Sequence, residues 1–114
     1  MRRGELYRVR RPAGDTKPAR TFVIVSRQAL VDSNFSAVIC APIFSERHGL
    51  PTLVNVGIAE GLKHDSAIQC DGLMSIEKSR LTDYVGELSD AKQAEVDKAL
   101  QVALALPTVR SPQK

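Results

Sequence analysis

The run Thr21-Phe22-Val23-Ile24-Val25-Ser26 is an unbroken series of β-branched and aromatic residues between polar flanks. It predicts a strand buried on both faces. Upstream, Glu5-Leu6-Tyr7-Arg8-Val9 alternates polar and apolar residues, the pattern of a half-buried strand. Between them Arg11-Pro12-Ala13-Gly14-Asp15-Thr16-Lys17-Pro18 reads as a hairpin-type surface loop. Downstream, Asp32-Ser33-Asn34 turns the chain into a second buried strand, Ala37-Val38-Ile39-Cys40-Ala41, which Pro42 is expected to close. A polar loop at Glu46-Arg47-His48-Gly49 leads to Thr52–Val56, then Ser66–Cys70, then Asp83–Glu87, six strands in all. At Ser89 the period changes: Val96, Ala99, Leu100, Ala103 and Leu104 are spaced as on one face of a helix. Ser89 suits the N-cap, Asp90 the first turn, and Pro107 the stop. The fold expected is mainly β (α+β), a small twisted antiparallel barrel with a C-terminal amphipathic helix over one side. Residues 1–106 form one domain and 107–114 a polar, flexible tail.

Composition narrows the function. The 114 residues are 43% hydrophobic, enough for a core and against wholesale disorder. No stretch approaches the length of a membrane span. Met1-Arg2-Arg3-Gly4-Glu5 runs into strand-like sequence without an apolar segment, so no secretory signal is expected. Cys40 and Cys70 lie inside apolar runs, which fits reduced thiols and a cytoplasmic protein. Five aromatic residues (Tyr7, Phe22, Phe35, Phe44, Tyr84) and no Trp argue against a broad base-stacking platform as the main binding mode. The net charge of +3 conceals an asymmetry. Residues 1–20 hold seven bases, six of them Arg, against two acids, whereas the rest of the chain is slightly acidic. Such a cluster suits a phosphate-bearing or acidic partner, and equally a solubilising hairpin.

Few motifs carry chemistry. Cys40, His48, His64 and Cys70 lack zinc-ligand spacing. His64-Asp65-Ser66 spells a triad in one line, but adjacent strand residues face opposite ways, so a strand entrance is the better reading. Gly49, Gly57 and Gly61 are isolated turn glycines, with no phosphate loop among them. Arg20 stands between the basic loop and a buried strand, and Ser45 just beyond another. If those strands are neighbours, a guanidinium and a hydroxyl meet at one edge, a pairing able to stabilise charge on a phosphoryl transition state.

The order of the residues says more. Arg3-Gly4-Glu5-Leu6-Tyr7, Arg20–Ser26, Val38–Ser45, Leu50–Val54, Gly61–Ala67, Lys78-Ser79-Arg80-Leu81, Val85–Ser89 and Glu95–Leu100 follow one another as in the MazF/PemK (Kid) toxins of type II toxin–antitoxin modules, which the chain resembles over about residues 2–106. The resemblance implies an SH3-like barrel, a homodimer, and cofactor-free, metal-independent cleavage of single-stranded RNA to 2′,3′-cyclic phosphate and 5′-hydroxyl ends. It implies a MazE-like antitoxin whose acidic C-terminal segment competes with RNA. The family's arginine falls on Arg20, as acid or charge stabiliser, and its Ser/Thr on or beside Ser45. Arg8, Arg10, Arg11 and Lys17 would contribute salt-dependent RNA contacts, and Asp15 falls near an acidic loop residue of some relatives.

Two departures stand out. Arg20-Thr21 replaces the usual Arg-Pro, and Phe44 takes the place of the family Thr, leaving Ser45 one residue late. In a regular strand that turns Ser45 to the opposite face, unless a turn or bulge intervenes. The competing readings are a catalytically degenerate barrel that only binds antitoxin or RNA, and a CcdB-like gyrase inhibitor. The latter depends on a terminal Trp-Gly-Ile, where this sequence reads Ser111-Pro112-Gln113-Lys114.

Overall fold

The computed structural model describes residues 1–10, 14, 19–46 and 48–107. Its elements are strands β1 (Glu5–Val9), β2 (Arg20–Ile24), β3 (Ala37–Phe44), β4 (Leu53–Val56), β5 (Ser66–Gln69), β6 (Met74–Glu77) and β7 (Asp83–Glu87), with helices α1 (Gln28–Val31) and α2 (Asp90–Ala103). All pairings are antiparallel in the order β4-β5-β3-β2-β1-β7, and β6 also joins β3. This is the small SH3-like barrel with a C-terminal helix that the sequence implied, curled but with no ladder between β4 and β7.

The seam between those two edges is closed by backbone contact. The 3-10 turn Ile58–Glu60 ends in Gly61, at φ +96°, which lies against Val85 and Gly86 of β7. A Cβ on Gly61 would strike the Val85 carbonyl, and one on Gly86 the Glu60 carbonyl. Only glycine permits so close an approach.

Packing explains why β2 reads as continuously apolar. Phe22 and Ile24 join Tyr7, Val9, Val38, Cys40 and Ile76 on one face of the sheet. Val23 and Val25 join Leu6, Ala41, Ile43, Val54 and Ile68 on the other, beneath α2. That helix contributes Val96 and Ala99, both buried, with Leu100 and Ala103 packed alongside. The Ser89 hydroxyl caps it, accepting from the Lys92 N–H at 3.1 Å.

Several boundaries differ from the expectation. Pro42 does not close its strand; β3 runs on to Phe44. On one edge β3 pairs with β6 through Cys40 and with β5 from Ile43, and Pro42 falls in the interval between. A residue without an N–H is tolerated where no ladder continues. The seventh strand, β6, and α1 were not anticipated. Strand β2 stops at Ile24 because the Val25 and Ser26 N–H groups both donate to the Ile39 carbonyl, an irregular end to the ladder. Helix α2 ends three residues early, with Ala105 at φ +53° and Leu104 exposed rather than buried.

Candidate active site

Strands β2 and β3 are neighbours, with Phe22 opposite Pro42. That pairing brings the first residue of β2, Arg20, beside the last of β3, Phe44. The Arg20 guanidinium carbon lies 4.1 Å from the centre of the Phe44 ring, over its face. Its Nη1 donates to the Ile43 carbonyl at 3.3 Å. Cation–π attraction of this kind contributes about 0.5–2 kcal/mol, and together the two contacts fix a side chain that would otherwise sample many rotamers.

The Arg20–Phe44 pair forms a partition. On one side is a cavity of about 430 Å³, lined by Val9, Phe22, Pro42, Met74 and Ile76, with Arg80 and Gly72 at its border. On the other is a cavity of about 370 Å³, lined by Ser45, Glu46, His48, Leu50 and Asp71. Arg20, Phe44 and Gln69 line both. Each volume lies in the range of pockets that hold small ligands. Thr52 anchors the polar side: buried itself, it donates from Oγ1 to Asp71 Oδ2 at 2.7 Å.

Ser45, exposed just past the strand, shares the second cavity with Arg20. It also lines a third, of about 400 Å³, with Arg8 and Tyr84. The two catalytic candidates thus meet at one site. Phe44 occupies the position on the Arg20 face that strand alternation gives the family hydroxyl, and the chain leaves the strand before alternation can turn Ser45 away.

The basic residues divide. Arg8 is exposed on β1 and lines the third cavity, which Ser45 shares and Arg20 does not line. Arg10 is exposed, and its carbonyl accepts from Arg80 Nη2 at 3.3 Å. Arg11, Asp15 and Lys17 lie outside the described residues. Arg3 is occupied structurally, donating to the Val25 carbonyl at 3.0 Å and pairing with Asp97 at 2.9 Å. Arg80, Gln69, His48 and Asp71 were not nominated from the sequence. Arg80 stood in a matched word, Lys78-Ser79-Arg80-Leu81, but only the fold places it beside Phe22 and Arg20.

The Ser66 hydroxyl donates to the His64 backbone carbonyl at 3.1 Å. Cys40 and Cys70 are free and lie in different cores. Among the described residues no three His, Cys, Asp or Glu side chains cluster as metal ligands, and no helix is long and apolar enough to cross a membrane.

Known proteins match along almost the whole chain. Residues 2–104 fit the family described as PemK-like, MazF-like toxin of type II toxin-antitoxin system. Endoribonuclease MazF1 of Mycobacterium bovis is 30% identical over 105 residues, covering 92% of this chain and 93% of that protein. Endoribonuclease EndoA of Bacillus subtilis is 39% identical over 71 residues, 61% of this chain and 60% of EndoA. A mycobacterial endoribonuclease solved in complex with its cognate antitoxin superposes with a TM-score of 0.81 at 28% identity, over 96% of this chain and 99% of that one. Sequence and fold both match over nearly the whole chain, and the chain belongs to the PemK-like, MazF-like toxin family of type II toxin–antitoxin systems.

Proposed function

We propose that this chain is the toxin of such a module, an endoribonuclease that cuts single-stranded RNA without a metal ion and is neutralised by a cognate MazE-like antitoxin. The observation that carries the assignment is Arg20, held by the Phe44 ring and the Ile43 carbonyl between two ligand-sized cavities. An RNA strand laid across the partition places one nucleotide on each side and the scissile phosphate against the guanidinium. The ribose 2′-hydroxyl attacks the adjacent phosphorus, and the P–O5′ bond breaks, leaving a 2′,3′-cyclic phosphate and a 5′-hydroxyl. A guanidinium keeps its protons at any working pH, so Arg20 acts by stabilising the charge that builds on the phosphoryl oxygens, not as an acid. Ser45, on the rim of the same cavity, is the hydroxyl that orients the phosphate. Arg8 and Arg10, with Arg11, Lys17 and Asp15 of the basic loop, supply contacts to the RNA beyond the scissile step, most of them salt-dependent. The toxin domain is residues 1–106; it acts as a homodimer, in the cytoplasm where its substrate is made.

Incubation with a long defined RNA in EDTA, with ends mapped by primer extension, tests this reading. Discrete cuts bearing 2′,3′-cyclic phosphate are expected. Arg20→Ala should abolish them while antitoxin binding persists. Phe44 on the hydroxyl position favours a second reading, a barrel that binds without cutting. Intact RNA, with the protein folded, would establish that reading and make Phe44→Thr the variant to test for recovered cleavage.

A further inference from the structure

The reaction proposed above needs a group to take the 2′-hydroxyl proton. Arg20 cannot accept one, and a serine hydroxyl is no stronger a base than the ribose itself. The geometry points to His48, oriented by Glu46, as the general base, an assignment that rests on the endoribonuclease reading. Both side chains line the cavity that Arg20 and Ser45 share. His48 Nε2 lies 2.9 Å from Glu46 Oε2.

A carboxylate only accepts hydrogen bonds, so the ring nitrogen facing it carries the proton. In the neutral ring, Nδ1 is then the nitrogen with a lone pair to offer. This is the base-and-orienter arrangement of general-base catalysis. Among the described residues, the charged groups facing the cavity from other elements are Arg20 on β2 and Asp71 on the turn after β5; Glu46 shares the loop of His48. Asp71 Oδ2 accepts from the buried Thr52 hydroxyl at 2.7 Å.

In the step itself, Nδ1 takes the 2′-hydroxyl proton as the O2′–P bond forms. The P–O5′ bond breaks and the departing oxygen takes a proton from water. The imidazolium then returns its proton to solvent, so none is consumed overall. Arg20 faces the negative charge that accumulates meanwhile.

The dependence of kcat on pH between 5 and 9, measured on a defined RNA in EDTA, tests the assignment. The full chain should lose rate on the acid side, because a general base must be unprotonated to take the 2′-hydroxyl proton. His48→Gln should lower kcat by about 10²–10⁴-fold with little change in KM, and the acid limb should vanish. Glu46→Gln, which removes the carboxylate that holds the ring, should lower kcat with little change in KM. The chain has two histidines, so His64→Gln is the control and should keep the limb. An intact limb in His48→Gln overturns the assignment, as does its loss in Asp71→Asn or Asp15→Asn instead. Cleavage by the full chain with an unaffected His48→Gln sinks the base alone. Absence of cleavage by a folded full chain sinks the endoribonuclease reading and the base with it. His48 is exposed, and matching thermal midpoints of variant and parent confirm that the readout is chemical.

Discussion

Arg20 and Phe44 act as a pair, and the value of one depends on the other. Phe44→Leu keeps an apolar partition but removes the ring face, so Arg20 regains rotamer freedom. The expected result is a fall in kcat of about 2- to 30-fold, corresponding to about 0.5–2 kcal/mol of lost cation–π attraction, while Phe44→Trp retains the rate. Steady-state kinetics of both variants would check this, and equal rates in Phe44→Leu and the parent would count against the pairing. That an aromatic replaces the family hydroxyl was legible in Ala41-Pro42-Ile43-Phe44. Its stacking on Arg20 was not, because it depends on β2 lying beside β3, which neither segment encodes alone. Ser45 shows the limit of a strand rule, since alternation holds only while the strand lasts. Arg3 shows the limit of counting charge: it belonged to the basic cluster by position but is tied to Asp97 and the Val25 carbonyl.

At the scale of elements, strong periodicity read well and corners did not. Strands β1 and β7 fall where alternation put them, and α2 starts where Ser89 said it would. Strand β6 escaped notice because only Ile76 of its four residues is buried, so Met74-Ser75-Ile76-Glu77 shows no apolar stripe. Its existence follows from β3 needing a partner after the turn at Gly72. Gly86 lies inside β7, and the seam depends on it. Gly86→Ala should cost more than the about 1 kcal/mol expected of Ser89→Ala, because the seam backbone must move apart whereas a lost cap leaves the helix in place. Urea midpoints of the two variants decide the matter; a milder loss in Gly86→Ala would mean the seam gives easily.

The whole molecule is two apolar layers on one curled sheet, and each holds a thiol. Burial pushes Cys40 from its ordinary 9.0 up to about 12, and burial helped by neighbouring Asp71 pushes Cys70 up to about 11. Burial, with a hydrogen bond to Glu5, also raises Tyr7 to about 12. Each group ionises more readily unfolded than folded. Their contribution to stability is therefore complete below about pH 8.5 and lost as pH rises through 11–12. The urea midpoint should fall steadily above pH 9, and native protein at pH 8 should resist a thiol reagent that labels it once unfolded. A midpoint flat to pH 11 would contradict this. At this scale the sequence shows a mainly β barrel with one helix and a strand buried on both faces, but not which strands pair. One consequence follows from β3. It is hydrogen-bonded along both sides, to β2 on one and to β6 and β5 on the other, and it ends at Phe44. Transient openings that let backbone amides exchange with solvent start where a strand has an unpaired side or a helix frays, as at β4, β7 and the end of α2. The amides in the middle of β3 should therefore be the last to exchange.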